Sequence, residues 1–220
     1  MRGFDRTILL VGKCSVWFMV FVMNLTGWFF PIFTPELSIK IYQEIFPQYI
    51  GQIEVLKSTP IVNYAHRILG GLLFFFGALQ FESSVRQRLP IFHRISGYLY
   101  IGLGYCISFT AAYIAVVTPF AGFPESVGVV SVSLIYAFCI SAALKNALVK
   151  KYTLHREWMI RGYAIASFIY VMRIFSNIFN HFGVHASGAE IFLAASNLAL
   201  LFNFIVAEWW INRTRIVHAH

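Results

Sequence analysis

Charged residues are scarce in this chain of 220 residues, since Asp, Glu, Lys and Arg together make up only 12% of it. Soluble domains carry roughly a quarter charged residues. A soluble fold of this length also has too little interior to bury a 59% hydrophobic chain with 23 phenylalanines. A lipid bilayer removes this constraint because it is itself apolar. The composition therefore excludes an ordinary soluble domain and predicts a polytopic integral membrane protein.

Motifs for hydrolytic, nucleotide-binding or zinc chemistry are also missing. The sequence contains no nucleophile elbow, no phosphate-cradling glycine loop and no His/Cys spacing typical of structural zinc. Its three cysteines, Cys14, Cys106 and Cys139, lie inside apolar runs, which favours buried small hydrophobes over disulfides or metal ligands. The net charge of +8 does not indicate nucleic-acid binding, because the basic residues lie at the ends of apolar runs.

Six apolar runs are long enough to form a transmembrane helix, which needs about 20 largely apolar residues. They predict an all-α membrane helix bundle in a single domain, residues 1–220. The predicted spans are residues 8–30, 62–81, 93–117, 127–149, 157–180 and 190–211. The connection at residues 34–60 is too polar to span and predicts an amphipathic segment on the outer surface, either a lid over a site or a loop packed over helix ends.

Lysine and arginine are distributed unequally between the two sides of this topology. With a cytoplasmic N-terminus, twelve of them fall on the inner side and three on the outer side. The bias matches the positive-inside rule, so both termini are predicted to be cytoplasmic, in a bacterial inner membrane. The inner residues are Arg2, Arg6, Lys13, Arg86, Arg88, Arg94, Lys145, Lys150, Lys151, Arg156, Arg213 and Arg215, and the outer ones are Lys40, Lys57 and Arg67.

A His-Arg pair occurs three times near a predicted membrane boundary. HRILGGL begins at His66 and HRISGYL begins at His93, 93 − 66 = 27 residues later, while LHREW contains His155. The alternating topology places His93 and His155 together on the inner side. His66 lies on the outer side with His181 and His185 of the NHFGVH stretch. The sequence thus predicts one set of histidines at each face of the membrane.

Two facing histidines on neighbouring helices can supply both axial ligands of a haem iron. We therefore predict one or two b-type haems in this chain. His93 and His155 would be the metal ligands on the inner side, and His66 with His181 or His185 those on the outer side. Such haems would carry electrons across or within the bilayer, as in a transmembrane oxidoreductase. The predicted partners are membrane lipid and a quinone or a redox complex.

Arginines and glycines beside the histidines complete the predicted cofactor sites. Arg67, Arg94 and Arg156 each follow a histidine and are placed to bind an anionic haem propionate. Gly70 and Gly97 follow their histidines by four residues, on the same helix face, and would let a broad ring approach the backbone. A second matched pair further along the same stripe is Gly77 and Gly104.

Arg161 and Arg173 lie inside the fifth predicted span and are also predicted to contribute to cofactor binding. An arginine in a span costs several kcal/mol unless it is paired or hydrated. Glu157, four residues before Arg161, predicts a local ion pair. Arg173 needs an anionic partner from elsewhere, for which a propionate, a quinone oxygen, a lipid headgroup or Glu190 would serve.

Two other interpretations are open at this stage. A single His-Arg pair at a helix end is also typical of an interfacial anchor, and glycines in membrane helices usually permit close packing. The chain would then be a non-enzymatic subunit of a larger membrane complex, with structural or lipid-binding pairs. The polar stripe of the fifth span, which includes Asn177 and Asn180, also fits a small-molecule or proton carrier.

The order of these motifs resembles a family of predicted membrane proteins of unknown function. The matching string is HRxxG…Q…R…PxxHRxxGxxY, followed by HRxWMxRxYA, and it covers about residues 60–175. The resemblance implies a membrane location and no particular activity. The matching residues are His66, Arg67, Gly70, Gln80, Arg86, Pro90, His93, Arg94, Gly97, Tyr100, His155, Arg156, Trp158, Met159, Arg161, Tyr163 and Ala164.

The arrangement is more distantly similar to the cytochrome b family of six-helix transmembrane ascorbate and ferric reductases. That resemblance implies two haems held by four histidines on a four-helix core. In that family the histidines come from four consecutive helices. Here the fourth predicted span has none and the fifth would supply two, so the chain departs from the pattern chiefly at the outer haem.

Overall fold

The computed structural model describes residues 2–24, 40, 43–44 and 58–218. No strand occurs in these ranges, which confirms the predicted all-α class for the described part of the chain. The helices, in chain order, are α1 (Arg2–Asn24), α2 (Pro60–Phe81), α3 (Ser83–Arg88), α4 (Pro90–Val117), α5 (Phe123–Leu148), α6 (Tyr152–Ala166), α7 (Phe168–His181) and α8 (Gly188–His218).

Four of these helices are long and apolar enough to cross a membrane. They correspond to the second, third, fourth and sixth predicted spans. A proline at the first or second position begins α2, α4 and α5, where its missing N–H removes no helical hydrogen bond. The four candidate spans are Pro60–Phe81, Pro90–Val117, Phe123–Leu148 and Gly188–Arg215.

The first predicted span and the outer segment are described only in part. α1 contains a shorter apolar stretch, Lys13–Val22, and residues 25–30 of the predicted span lie outside the described residues. Within the outer segment, Lys40 and Glu44 form an ion pair one helical turn apart, with 3.8 Å between Nζ and Oε1. Most of the predicted amphipathic segment at residues 34–60 lies outside the described residues.

The fifth predicted span, residues 157–180, is not a single straight helix. It is divided at Ser167 into α6 and α7, whose axes differ by 41°. The prediction of one continuous helix is therefore wrong at this point. With the bent pair counted as one crossing, the described residues provide up to five spans.

Hydrogen bonds made by Ser167 and Asn203 explain the break. Ser167 Oγ donates to the Ala164 carbonyl at 2.9 Å, and Asn203 Nδ2, from α8, donates to the same oxygen at 2.9 Å. Beyond the break, the Tyr170 N–H bonds the Ser167 carbonyl, three residues back, at 3.1 Å. A polar side chain inserted into the helical ladder and a serine bonded back onto its own helix both bend helices.

Three hydrophobic clusters hold the described helices together. The largest lies among α1, α2, α4, α5 and α6 and contains the buried Leu73, Tyr100 and Ile140. A second cluster joins α7 to α8 through Met172 and Phe192. A third joins α6 to the C-terminal half of α8. The last two spans therefore meet at two separate places, on either side of the break.

The outward faces of the helices are strongly apolar. Large side chains such as Phe109, Phe138 and Phe204 are exposed, as helices surrounded by lipid require. The three cysteines are free thiols, and only Cys139 is buried. The expectation that all three cysteines are buried is therefore wrong for Cys14 and Cys106, which lie on exposed faces.

Glu82 attaches α1 to the end of α2. Lys13 Nζ lies 2.8 Å from Glu82 Oε2, and Trp17 Nε1 donates to Glu82 Oε1 at 3.1 Å. Led by the hydrogen bond from Lys13, these contacts hold the pKa of Glu82 below its ordinary value of 4.5, although desolvation opposes them. The stabilisation is therefore fully present above pH 4.5 and is lost as the pH falls through the lowered pKa.

We expect Glu82→Gln to lower the free energy of unfolding by about 0.5–1 kcal/mol at neutral pH, because Lys13 is half exposed and water screens the pair. The difference from the wild type should shrink in acid, because the wild-type side chain is then neutral too. Thermal unfolding of both proteins in detergent, from neutral to acidic pH, measures this. Glu44→Gln, which breaks a fully exposed pair, is the control, and a pH-independent difference at Glu82 would contradict the assignment.

Candidate functional site

His93 and His155 lie at the same end of the bundle. His93 is in the first turn of α4 and His155 in the first turn of α6. The two rings are near enough to interact electrostatically, and Arg86 of α3 lies within the same range of His93. The structure therefore places the predicted inner pair of histidines at one end of the bundle, in the first turns of two helices.

A hydrogen bond to α5 fixes the ring of His155. His155 Nδ1 lies 2.9 Å from the carbonyl oxygen of Ala143. A carbonyl oxygen can only accept, so Nδ1 carries the proton and Nε2 of the neutral ring keeps its lone pair. A backbone carbonyl bound to one ring nitrogen is also the usual partner of a histidine whose other nitrogen binds a metal.

The ring of His93 has no hydrogen-bond partner among the described residues, and its Nδ1 is buried. A buried polar atom left unpaired costs about 1–3 kcal/mol. The backbone around it is well held, since Ser96 Oγ donates to the His93 carbonyl at 3.1 Å and accepts from Gln80 Nε2 at 2.8 Å. The unpaired ring nitrogen therefore marks a place where a ligand would lower the energy.

His66 is on α2, at the opposite end of the bundle from His93 and His155, and its ring contacts α4. Its Nδ1 is 2.8 Å from Thr110 Oγ1. The Thr110 hydroxyl donates its proton to the Cys106 carbonyl at 2.8 Å, so it accepts from His66 Nδ1–H, and His66 Nε2 also keeps its lone pair. His181 and His185 are both exposed. No hydrogen bond or ring contact joins them to His66 in the described chain, although His181 stacks edge-on against Phe182.

The predicted propionate arginines differ in their surroundings. Arg94 is exposed in the first turn of α4, and Arg67 is half buried beside His66. Arg156 donates to Thr214 Oγ1 at 2.7 Å. Arg173 is half buried on α7, and Glu190, one of its predicted partners, accepts hydrogen bonds from Ser187. Arg94 and Arg156 each follow a histidine of the inner pair, and of these two arginines Arg94 has the exposed side chain.

Arg161 belongs to an ion-pair network that sequence reasoning found only in part. The predicted pair with Glu157 is confirmed, with 3.9 Å between Arg161 Nη1 and Glu157 Oε2. Shorter bonds join Arg161 to Glu208 of α8, at 2.6 and 3.1 Å. Its guanidinium also lies 4.9 Å from the centre of the Trp158 ring. Glu208 of α8 is thus a partner of α6.

Glu157 itself is bound by Arg215. The Glu157 side chain is only 2% exposed, and Arg215 donates to both of its carboxylate oxygens through Nε and Nη2. This contact and the Arg156–Thr214 bond fasten the first turn of α6, which carries His155, to the end of α8. No sequence signal indicated the pairing, because Glu157 and Arg215 are 58 residues apart.

Neighbouring side chains lie close to most of the glycines of the two repeats, in the space that a larger residue would need. A methyl group at Gly77 would lie 2.5 Å from Tyr163 Cε2, and one at Gly104 would lie 2.7 Å from Ile140 Cδ1. One at Gly97 would lie 3.1 Å from Gln80 Oε1, whereas one at Gly70 would make an ordinary 3.7 Å contact with Ile107. The clearance predicted for a porphyrin is therefore taken up by the protein's own packing. The neighbouring side chains are Tyr100, Tyr163, Ile140, Tyr136, Gln80 and Ile107.

A family model described as "Predicted membrane protein (DUF2306)" matches residues 63–211, which include most of α2, all of α3 to α7 and most of α8. No curated protein and no solved structure matches the chain.

Proposed function

We propose that this chain, which belongs to the DUF2306 family of predicted membrane proteins, holds a b-type haem between His93 and His155 and passes electrons within the membrane. The observation that carries the proposal is the placement of these two rings at one end of the bundle. His155 is fixed by the Ala143 carbonyl, and His93 keeps a buried nitrogen without a partner. Both rings can therefore offer a lone pair to a metal.

The number of ligands favours haem over a bare metal ion. Zinc and similar ions usually take at least three protein ligands, and the described residues contain no group of three or more His, Cys, Asp or Glu side chains suited to a metal. A haem needs only two, because the porphyrin supplies the other four nitrogens. When bound, it would supply one-electron chemistry, with a quinone or a redox membrane complex as the partner.

The chain's own residues would orient and neutralise the group without the clearance predicted at the glycines, because side chains occupy the space at Gly77, Gly97 and Gly104. The Ala143 carbonyl sets the ring plane and the protonation of His155. Arg94 and Arg86 are exposed at the same end and can bind propionates with parallel hydrogen bonds. Arg156 and Arg161 would act indirectly, because their bonds to Thr214 and Glu208 hold α6 in place.

The proposal extends to one haem, at the inner end. His66 is ligand-ready but has no contact with His181 or His185 in the described chain, so nothing supports a second axial pair. The likeness to transmembrane cytochrome b reductases is accordingly proposed for the inner pair alone.

We also propose six spans with both termini in the cytoplasm of a bacterial cell. Contacts across the bundle support a single basic end. Lys13 binds Glu82 after α2, and Arg215 of α8 binds Glu157 at the start of α6. These contacts support one basic end of the bundle that contains Lys13 and Arg215, and the positive-inside rule would assign such an end to the cytoplasm.

Absorption spectroscopy tests the haem proposal. The protein, expressed with added haem precursor and purified in detergent, should show the sharp bands of reduced b-type haem after dithionite. His93→Ala and His155→Ala should each lose them with little change in membrane insertion, because either change would remove a residue that holds the haem. His181→Ala, which removes an exposed ring, is the matched control and should keep the bands. A wild type without haem bands, or a His155→Ala variant with unchanged ones, would refute the proposal.

A further inference from the structure

A groove runs along the outward face of α5 at the basic end of the bundle. It has a volume of about 500 Å³ and is lined by apolar side chains along the helix and by polar ones at its end. Phe138, Ala142 and Val149 form the apolar wall, spaced along one face of α5. From Phe138 to Val149 the wall is about 16 Å long, at about 1.5 Å per residue. That length suits a large part of one acyl chain.

The apolar wall faces the bilayer. Phe138 is 60% exposed and Val149 is 54% exposed. The opposite face of α5 carries Ala143 and Ile140, which are fully buried in the bundle. The groove therefore opens toward lipid rather than into the protein, and a lipid can enter it from the side.

The basic end of the groove carries two lysines that have no ion-pair partner among the described residues. Lys145 and Lys151 line it and are exposed. The carboxylate of Glu157, at the start of α6, is bound by Arg215 and Arg161. Asn146, which also lines the groove, donates its amide to the Ala142 carbonyl at 2.8 Å.

The turn after α5 has a lysine at a position where glycine would have a lower backbone energy. The Lys151 N–H bonds the Asn146 carbonyl at 2.8 Å, and Lys150 takes the left-handed conformation with φ of 59°. This is the helix ending in which glycine is usual, because a side chain raises the energy of a positive φ. The lysine at this strained position adds a third positive charge beside the groove.

We propose that the groove binds an anionic phospholipid, with its phosphate between Lys145 and Lys151 and one acyl chain along Phe138, Ala142 and Val149. Charge decides the occupant, because a zwitterionic lipid brings no net charge to two unpaired ammonium groups, whereas an anionic headgroup neutralises them. Each lysine near a membrane surface contributes about 1 kcal/mol to the attraction of an anionic lipid. The proposal is independent of the haem.

Lipid competition in detergent tests the site. Purified wild-type protein should bind fluorescent phosphatidylglycerol more tightly than the matching phosphatidylcholine. The Lys145→Ala/Lys151→Ala variant should weaken phosphatidylglycerol binding about ten- to thirty-fold and leave phosphatidylcholine binding unchanged. Arg88→Ala removes an exposed positive charge from the same end but away from the groove, and it should keep the preference.

Three results would overturn the proposal. The first is equal binding of the two lipids by the wild type. The second is a loss of preference in Arg88→Ala as large as in the double lysine variant, which would indicate a general effect of net charge. The third is displacement of the labelled lipid by glycerol 3-phosphate alone, which would indicate a phosphate site that needs no acyl chain.

Discussion

Arg215→Ala should lower the unfolding temperature of the protein more than removal of an unpaired arginine does, because it removes one partner of an ion pair whose other partner is buried. Glu157 is only 2% exposed, so loss of the guanidinium takes two hydrogen-bond donors from an enclosed carboxylate. The loss is moderated because Arg161 stays 3.9 Å from Glu157 and Arg215 is itself half exposed.

Thermal unfolding in detergent measures this change. Arg88→Ala is the matched control, because it removes an exposed arginine at the same end of the bundle, and it should alter stability by less than about 0.5 kcal/mol. Adding Glu157→Gln to Arg215→Ala should recover part of the loss, since the stranded charge is then removed. If Arg215→Ala proves as mild as Arg88→Ala, the network does not stabilise the bundle.

Gly77→Ala should destabilise the protein by about 2 kcal/mol, because the added methyl group overpacks a closed core. It would lie 2.5 Å from Tyr163 Cε2 and 2.8 Å from Tyr100 Cε2. Both rings are buried, Tyr100 at 0% and Tyr163 at 7% exposure, and Tyr163 is further held by its hydroxyl bond to the Phe74 carbonyl. Neither ring has room to withdraw.

Gly102→Ala is the matched control, since a methyl group at this position of α4 meets nothing within 4 Å. That variant should be neutral or more stable by up to about 1 kcal/mol, because alanine favours a helix over glycine. Gly70→Ala should behave like the control, given its ordinary 3.7 Å contact with Ile107. Equal unfolding temperatures for Gly77→Ala and Gly102→Ala would show that the tyrosine packing around Gly77 is looser than described.

Features of the fold that depend on local composition were predictable. The length of an apolar run decides whether a helix crosses the membrane, and the runs that begin near Pro60, Pro90 and Phe123 became helices of the expected extent. The break at Ser167 was not predictable, because the fifth run contains no proline and the amide that bends it belongs to Asn203 on another helix.

The candidate site was predictable to the extent that it follows from alternating topology. His93 and His155 lie in the first turns of α4 and α6, two helices that start at the same end of the bundle. The partners of the charged residues depend instead on how α6 packs against α8. Arg161 and its partner Glu208 are 47 residues apart in the sequence, and Glu157 and its partner Arg215 are 58 residues apart. A glycine repeat with identical spacing likewise gave no indication that Gly77 is crowded and Gly70 is not.

The break at Ser167 has a consequence for how the protein is made. The Ala164 carbonyl accepts hydrogen bonds from Ser167, within the break, and from Asn203 of α8, and hydrocarbon offers no donor that could replace Asn203. We therefore expect the bend to gain its full set of hydrogen bonds only after α8, which is synthesised later, has entered the bilayer.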